Sequence, residues 1–579
     1  MSSHEMQISK FDILPNEVLL EIFEYLPPAY TFETFYFLNK RYNSLLRSIR
    51  LRVDLFNVSK QIFDYYHYFL FPDVSHCIVS LRCEDVFDRL TYQINLSNFI
   101  SLEYLTITNI KLSTLKNIIP HINRFPNLTY LNLQMSAEAS MTRKLYFEQP
   151  MPSIEKCILN FNRRLIIEGE QCYSNLKYLT ISRYHIDDLL LFLHIYTPEL
   201  KYLTITFNDK YNSKTLLPKT ENKHHLESLT VKQCRVPFNR MEKLVLTSLP
   251  RLKRLNIHAM GIDYADGKRW EMLLSKCFPL LKAFFLHTTF PKEEASTPAL
   301  RTQLLKTFET MYFSSHNLYF ALLYHPSTSA IDLFSLPLVN HRIHASLYDT
   351  YIEKTMNDIN IFENVNELSL FLTTSGENLK LPKSCFSNVK NLKLISRFRQ
   401  YERLPRNLFV DISNLVTFSK LESLEFIGNT FPSTSFVLLD YTPKLESLSI
   451  SFSNLIQMTK ALTDQHSCQQ LTKLIKHLNI TSADDLKDLA VFERLPLVFC
   501  TLESLSLHLA NLKDLYPLLI LILQKMARIL NRMSIFIDVY TIEANMLYEF
   551  KIWLIGYLYS HELEKVDVQQ IDNQIDFCF

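Results

Sequence analysis

Short segments of alternating hydrophobic and polar residues recur along most of the chain. The pattern is L-x-x-L-x-I/L/V, and successive starts between Leu102 and Leu252 are 22 to 26 residues apart. Successive side chains of a strand point to opposite faces, so the second leucine and the next aliphatic residue of each copy would share one buried face. The copies begin at Leu102, Leu128, Ile154, Leu176, Leu200, Leu226, Leu252, Leu281, Val365, Val389, Leu421, Leu445, Ile475 and Leu502.

Helical periodicity fills some of the intervals between these predicted strands. Residues 185–196 place Ile186, Leu189 and Leu193 on one apolar face. The run LYPLLILIL at 515–523 has nine residues, whereas a membrane-spanning helix needs roughly 20, so it predicts a buried helix. Proline stands two residues before several copies and marks the return to the next strand: Pro126, Pro198, Pro250, Pro279 and Pro443.

A strand, a loop, a helix and a turn thus make an α/β unit of about 25 residues, and stacked units would bury their strands and helices continuously. Residues 75 to 530 resemble the leucine-rich repeat family. The resemblance implies a horseshoe-shaped solenoid over residues 53–530, with a parallel sheet on its concave face and helices on its convex face. The alternative is one large α/β domain whose parallel strands are rich in leucine. The family's usual asparagine or cysteine after the strand is mostly absent, so we expect an irregular loop hydrogen-bond ladder.

Two parts of this array are ambiguous. The repeat register is lost at about 290–364, which is compatible with one array carrying an insertion near 291–298 or with a break into two arrays. Residues 531–579 are expected to form a C-terminal capping region, whose last residues either fold over the final repeat or hang free.

The N-terminus has a different pattern. After ten residues expected to be flexible (1–10), the segment ILPNEVLLEIFEYL at 13–26 predicts an amphipathic helix, with Pro15 at its first position. Further short helices are predicted at 31–37 and 40–50, before strand-like sequence begins at Val53. The apolar stripe of the first helix comprises Val18, Leu19, Ile22, Phe23 and Leu26.

Residues 11–52 resemble the F-box. The resemblance rests on Leu14-Pro15-x-Glu17-x-Leu19-x-x-Ile22-Phe23 and on Leu38-Asn39-Lys40-Arg41-Tyr42, in which Tyr42 stands where the family has tryptophan. It implies binding to the Skp-type adaptor of a cullin–RING ubiquitin ligase. The alternative is that these helices only cap the exposed end of the repeats. The adaptor contacts that the resemblance implies are Leu14, Pro15, Leu19, Ile22, Phe23 and Tyr42.

The outward-facing strand positions are candidates for target binding. Tyrosine recurs at one repeat position, and strands about 4.8 Å apart would align such residues in a row. The alternative is that tyrosine simply favours strands. The predicted substrate-binding residues are Tyr104, Tyr130, Tyr178, Tyr202, Arg254 and His258.

Composition argues against several function classes. With 61 basic and 59 acidic residues the chain has no general field for nucleic acid. It has only 6 glycines and no phosphate-binding loop, and its 10 cysteines include no C-x-x-C pair. Neither H-E-x-x-H nor G-x-S-x-G occurs, so we expect no catalytic residue, no cofactor and no metal. No signal peptide or membrane span is evident, which indicates a cytoplasmic or nuclear protein.

The sequence therefore predicts a non-catalytic substrate-recognition subunit of a Skp–cullin–F-box E3 ubiquitin ligase. Its F-box would bind the adaptor, and its repeats would bind a target protein that the sequence does not identify. The alternative function is a leucine-rich repeat scaffold that acts independently of ubiquitination. An enzyme of unknown chemistry is a third possibility.

Overall fold

The structure is a computed structural model of the 579-residue chain. The residues that it describes are 11, 13–26, 28–56, 58, 60–84, 96–111, 114–115, 118, 122, 125–135, 145–147, 153–160, 165–167, 175–184, 186, 189, 192–193, 197–207, 224–244, 246–324, 330–338, 342–346, 351–355, 361–372, 386–396, 408–428, 437–481, 493–509, 515–526, 530–537, 553, 567–571 and 574–578. They fall into two compact units: unit 1 comprises 1–182 and 195–199, and unit 2 comprises 183–194 and 200–579.

Unit 1 begins with three helices, followed by short helices and parallel strands. Its helices are α1 Asn16–Tyr25, α2 Pro28–Phe35, α3 Lys40–Leu46, α4 Lys60–Tyr65 and α5 Phe71–Val74, with a π-helical turn at Tyr66–Leu70. Its strands are β1 Leu51–Leu55, β2 Ile78–Glu84, β3 Tyr104–Ile110, β4 Tyr130–Met135, β5 Leu145–Phe147, β6 Lys156–Asn160, β7 Leu165–Ile167 and β8 Tyr178–Tyr184. The main sheet has the order β1-β2-β3-β4-β6-β8 with parallel pairing throughout, and β5 pairs with β7 separately.

The strands of unit 2 belong to two sheets. The first has the order β9-β10-β11-β12-β14-β13-β16, and the second β15-β17-β18-β19-β20-β21-β22-β23-β25-β24. Their bounds are β9 Tyr202–Phe207, β10 Ser228–Cys234, β11 Arg254–Met260, β12 Ala283–Pro291, β13 Tyr319–Tyr324, β14 Ala330–Leu336, β15 Arg342–Ser346, β16 Tyr351–Lys354, β17 Glu367–Leu372, β18 Asn391–Ser396, β19 Ser423–Ile427, β20 Ser447–Ile450, β21 His477–Ile480, β22 Ser504–Leu509, β23 Arg532–Ile537, β24 Asp567–Ile571 and β25 Gln574–Cys578.

Helices follow several of these strands. They are α6 Phe238–Leu244, α7 Gly267–Cys277, α8 Pro298–Lys306, α9 Met311–Ser315, α10 Leu408–Leu415, α11 Val437–Asp440, α12 Phe452–Thr459, α13 Gln465–Leu474, α14 Leu495–Val498 and α15 Leu515–Met526. Helix α15 confirms the buried helix predicted at 515–523, since Leu519, Ile522 and Leu523 are almost fully buried. Of the helix predicted at 185–196, Ile186, Leu189 and Leu193 are buried, and its other positions lie largely outside the described residues. The chain is thus a mixed α/β protein with long runs of parallel strands.

Every copy of the L-x-x-L-x-I/L/V pattern coincides with a strand that starts two residues after its first residue. The second leucine and the following aliphatic residue are buried, as in the pair Leu229 and Val231 of β10. The first residue of each copy is buried as well, except at the half-buried Leu281. The strand pattern predicted from the hydrophobic periodicity is therefore confirmed.

A regular backbone ladder joins consecutive copies. The carbonyl of the second residue of one copy accepts the N–H groups of the second and third residues of the next: the Glu155 carbonyl accepts from Lys177 at 2.9 Å and from Tyr178 at 3.0 Å. The same fork recurs in unit 2, where the Glu446 carbonyl accepts from Lys476 at 2.9 Å and from His477 at 3.0 Å. This fork lies before each strand, so it does not test the irregular ladder that the missing asparagines predict for the loops after the strands.

The register break predicted at 290–364 corresponds to a change of strand direction. Strand β12 pairs with β14 antiparallel, β13 pairs antiparallel with β14 and β16, and parallel pairing resumes where β15 meets β17. The hydrophobic core nevertheless continues without a gap, since Phe334 and Leu336 of β14 belong to the same buried cluster as Ile343 of β15. Strand pairing is therefore split between two sheets, while the core of this region is continuous.

The C-terminal residues that the structure describes form a hairpin on the last parallel strand. Strand β24 pairs with β25, and β25 pairs antiparallel with β23. Within the region predicted as a cap, β23 extends the parallel sheet, and the hairpin of β24 and β25 pairs with its far edge, which would otherwise expose unpaired backbone groups.

We predict that Leu229→Ala destabilises unit 2 by about 2–5 kcal/mol, because it removes buried methyl groups from a side chain with 0% exposure and leaves a cavity. Leu229 lies between Leu203 and Leu255 of the neighbouring strands. The measurement is the free energy of unfolding in urea. The matched control is Thr230→Ala, one residue along on the opposite face, which should change it by about 0.5 kcal/mol or less. Equal losses in the two variants would contradict the assignment of faces.

Candidate functional site

The first three helices pack around a small aromatic core. Phe23 of α1 lies 4.9 Å from the ring of Phe35 in α2, and Tyr42 of α3 lies 5.9 Å from Phe35 and 6.4 Å from Phe23, measured between ring centroids. Phe11 stacks on Phe35 at 5.3 Å and closes the cluster from the N-terminal side. Aromatic side chains bury large areas, so this cluster gives a short helical segment a core of its own.

The six predicted adaptor contacts occupy different depths in this segment. Leu19, Phe23 and Tyr42 are 0%, 3% and 3% exposed, so they belong to the core rather than to its surface. Leu14 and Ile22 are half-buried, and Pro15 is exposed. The single apolar stripe predicted for α1 therefore divides into an inner row and an outer row. Pro15 occupies the N-cap position before Asn16 instead of the predicted first helical position.

The outer row of α1 consists of Val18, Ile22 and the C-cap residue Leu26. These residues are spaced four apart, which aligns them on one side of a helix. Val18 and Leu26 are exposed. One further apolar residue near each end of the helix is exposed as well, Ile13 before its start and Tyr25 at its last position. This side of α1 thus presents apolar side chains to solvent.

Arg41 holds the opening of α1 in place. Its Nε donates to Asn16 Oδ1 at 2.8 Å, and its Nη2 donates to the carbonyl oxygen of Leu14. Asn39, which differs from the residue usual in the family, accepts from the Tyr42 amide at 2.9 Å and so caps α3. The Lys40-Arg41 pair noted in the sequence therefore includes a positioning residue for the Leu14-Pro15 turn, which sequence reasoning missed.

Phe37 stands out in the loop between α2 and α3. Its φ is 71°, a left-handed conformation that is unfavourable for a bulky residue, and its side chain is 80% exposed. The backbone is held there because the Phe37 amide donates to Asn43 Oδ1 at 2.8 Å. The neighbouring Leu38 is exposed as well. Strained backbone that displays an apolar side chain is frequent at binding sites, and the sequence alone does not signal it.

The helices are anchored to the rest of unit 1 through Tyr36. Its hydroxyl donates to Asp73 Oδ2 at 2.8 Å and accepts from Arg47 Nη2 at 2.7 Å. Burial, together with the hydrogen bond to Asp73, raises the pKa of the Tyr36 hydroxyl. Because Asp73 belongs to α5, this network joins α2 and α3 to the elements that precede the main sheet.

The predicted target-binding residues lie on the outward side of the strands. In unit 1 the strand register places Tyr104, Tyr130, Lys156 and Tyr178 in one row, with the rings of Tyr104 and Tyr130 6.0 Å apart. In unit 2 the row begins at Tyr202 and continues through Ser228 to Arg254. The tyrosine row expected from the repeats thus forms in unit 1 with a lysine inserted, whereas Tyr202 has polar neighbours in unit 2.

His258 belongs to a titratable cluster in unit 2. Its ring stacks on His287 at 4.4 Å between ring centroids, and His287 Nε2 lies 3.2 Å from Asp332 Oδ1. Thr289 Oγ1 donates to the same carboxylate oxygen at 2.5 Å. Burial, and secondarily the neighbouring His287, lower the pKa of His258 to about 4. His258 is thus neutral at pH 7 and can both donate and accept a hydrogen bond.

Across the part of the chain that the structure describes, no group of three or more His, Cys, Asp or Glu side chains could hold a metal ion. Within the same residues, no helix is long and apolar enough to span a membrane.

A small helical module with an exposed apolar side thus precedes the repeated strands of unit 1. Residues 11–54 match the family model for the F-box domain, which covers all three helices and most of β1. F-box domains in general bind Skp-type adaptors and serve ubiquitin ligases. A comparison with curated proteins found no match for the chain.

We predict that His258 makes the stability of the protein depend on pH below neutrality. An unfolded histidine has a pKa near 6.5, so between that value and the folded value of about 4 the unfolded chain binds a proton that the folded chain does not. This contribution is therefore present above pH 6.5 and is lost as the pH falls. Removing it by His258→Gln should reduce the slope of the free energy of unfolding by up to about 1.4 kcal/mol per pH unit.

The measurement is urea unfolding at pH 7, 6 and 5 for the wild type and the variant. His76→Gln, at an exposed histidine, is the control and should leave the slope close to that of the wild type. The same slope in the wild type and in His258→Gln would show that His258 does not titrate as its burial indicates.

Proposed function

We propose that this protein is the substrate-recognition subunit of a Skp–cullin–F-box E3 ubiquitin ligase. The match of residues 11–54 to the F-box domain carries the proposal. The exposed apolar side of α1 and the displayed Phe37 support it, because apolar side chains of this kind are usual at the centre of protein interfaces.

The adaptor surface combines predicted residues with residues that only the structure brings forward. Leu14, Pro15 and Ile22 contact the adaptor directly. Leu19, Phe23 and Tyr42 act from beneath, by holding α1 against α2 and α3. Three accessible apolar residues complete the surface: Val18, Leu26 and Phe37.

The strands that follow form the target-binding part, which we propose is a leucine-rich repeat solenoid. The recurrence of the pattern, the parallel pairing and the forked carbonyl ladder all support stacked units. The outward residues that we propose bind the target are Tyr104, Tyr130, Tyr178, Tyr202, Arg254 and His258.

Such a receptor acts by proximity. It holds the target so that the target's lysines reach a high effective concentration near the ubiquitin thioester carried by another subunit. It needs no nucleophile of its own. The side chains that matter are therefore those that set affinity and orientation.

We predict that Phe37→Gly weakens adaptor binding without weakening the fold. Glycine adopts a φ of 71° without strain, so the free energy of unfolding should stay the same or rise by up to about 1 kcal/mol. Loss of an exposed interface aromatic should lower adaptor affinity by about tenfold or more. Titration of the full-length protein with the purified adaptor, followed by calorimetry, measures the affinity.

The control is Met311→Gly, at an exposed apolar residue of unit 2, which should leave adaptor affinity unchanged. Val18→Glu places a charge on the outer row of α1 and should abolish binding. Wild-type affinity in both Phe37→Gly and Val18→Glu would rule out this surface as the adaptor site.

The second candidate function is a scaffold in which the same helices only cap the end of the repeats. Contacts between this N-terminal segment and the rest of unit 1 favour it. Strand β1 pairs with β2, Arg50 forms an ion pair with Glu103, and the Tyr36 hydroxyl donates to Asp73. Protein lifetimes in cells that express the Val18→Glu variant distinguish the two functions. A receptor predicts longer lifetimes for proteins that co-purify with the repeats, whereas a scaffold predicts unchanged lifetimes.

A further inference from the structure

One row of outward-facing residues in unit 1 combines aromatic rings with a lysine. The strand register aligns Tyr104 of β3, Tyr130 of β4, Lys156 of β6 and Tyr178 of β8. The Lys156 ammonium lies 5.2 Å from the centroid of the Tyr130 ring. A cation over an aromatic face keeps its charge available to an anion on its other side. The row is thus a cation between aromatic surfaces.

Lys156 differs from the lysines of the neighbouring row. At the second position of the repeat pattern, four described lysines pair with glutamates of adjacent copies: Lys177 with Glu155 at 3.0 Å, and likewise Lys253, Lys390 and Lys476. Among the described residues no carboxylate forms an ion pair with Lys156, which is exposed. These two lysines of adjacent copies therefore differ in role. Lys177 links two copies through its ion pair, whereas Lys156 faces solvent.

Three described carboxylates on and beside this face already have partners. Asp54 binds Arg82 at 3.1 Å, Glu84 accepts a hydrogen bond from Asn109, and Glu103 pairs with Arg50. These three carboxylates therefore do not compete with an incoming anion for the Lys156 ammonium. The face is complementary to negative charge at one point along an aromatic row.

From this arrangement we propose that the row binds an extended segment of a target protein in which a glutamate or aspartate, flanked by apolar residues, pairs with Lys156. The inference rests on the proposed function and names the chemistry of its target. Three strand spacings of about 4.8 Å separate Tyr104 from Tyr178, so about five extended residues would cover the row. Tyr104, Tyr130 and Tyr178 supply stiff contact area and hydroxyl groups on both sides of the ion pair.

A carboxylate fits this site better than a phosphate does. Phosphate groups are typically held by several cations or by the two-pronged fork of arginine. Here the register neighbours of Lys156 are Tyr130 and Tyr178, and Ile158 follows it on the same side of the strand. Single-stranded nucleic acid also stacks on aromatic rings, but it needs a groove of positive charge along its backbone. One ammonium in this row does not provide such a groove.

The test uses full-length protein and fluorescent nine-residue peptide pools. Each pool has a central Glu, Gln, Lys or phosphoserine between mixed Ala, Leu, Ser and Tyr positions, and fluorescence anisotropy at low salt measures affinity. We expect the Glu pool to bind about three- to fivefold more tightly than the Gln pool, as for an exposed ion pair. In Lys156→Gln this preference should fall to about one. Lys156→Arg should retain it.

The matched control is Lys177→Gln, which removes a lysine already paired within the protein and should keep the preference of the wild type. The proposal is overturned if the wild type does not prefer the Glu pool, or if Lys156→Gln keeps that preference. It is also overturned if the phosphoserine pool or a dT12 oligonucleotide binds about tenfold more tightly than the Glu pool.

Adaptor titration of the same samples keeps this inference separate from the proposed function. Lys156→Gln should bind the adaptor as the wild type does. If the wild type fails to bind the adaptor while the peptide preference holds, the proposed function fails and the assignment of the row stands.

Discussion

The forked carbonyl ladder is the constraint on which the repeated strands depend. One carbonyl accepts hydrogen bonds from two consecutive N–H groups of the next copy. The Thr129 carbonyl, for example, accepts from the amides of Glu155 and Lys156. This fixes the register before the strand begins, and in a strand a slip of one residue would turn every leucine to solvent. A leucine such as Leu131 is covered because Leu105 and Cys157 lie directly beside it. Burial and register therefore support each other across consecutive copies.

The same constraint explains what happens where the pattern stops. After the copy at Leu281 no further copy follows at the usual interval, and β12 finds an antiparallel partner in β14. A strand edge left unpaired exposes backbone donors and acceptors, so some pairing is strongly favoured. Hydrophobic packing does not require a fixed strand register, because it is non-directional and side chains need only be apolar and adjacent. It therefore continues from β14 into β15, although the hydrogen bonds do not.

The N-terminal helices show how one apolar stripe can serve two purposes. Leu19 and Phe23 turn inward to the aromatic core, while Val18 and Leu26 of the same helix face solvent. Arg41 fixes the start of that helix, and Tyr36 fixes the module to α5. The result is a surface held by buried contacts, which is the requirement for a preorganised binding site. A sequence match identifies the module, but the roles of its residues follow from their depth.

The strands of the repeated pattern, their buried residues and the presence of the helical module were predictable from the sequence, because periodicity reports directly which residues share a face. The helix at Leu515–Met526 was predictable for the same reason. Phe37, the stacking of His258 on His287, and Lys156 over Tyr130 were not, because each depends on partners brought together by the register or on a backbone angle that no local pattern encodes. The sequence by itself determined the alternation of buried and exposed positions. Only the tertiary structure decided which exposed positions meet, because that depends on which strands become neighbours and in what alignment.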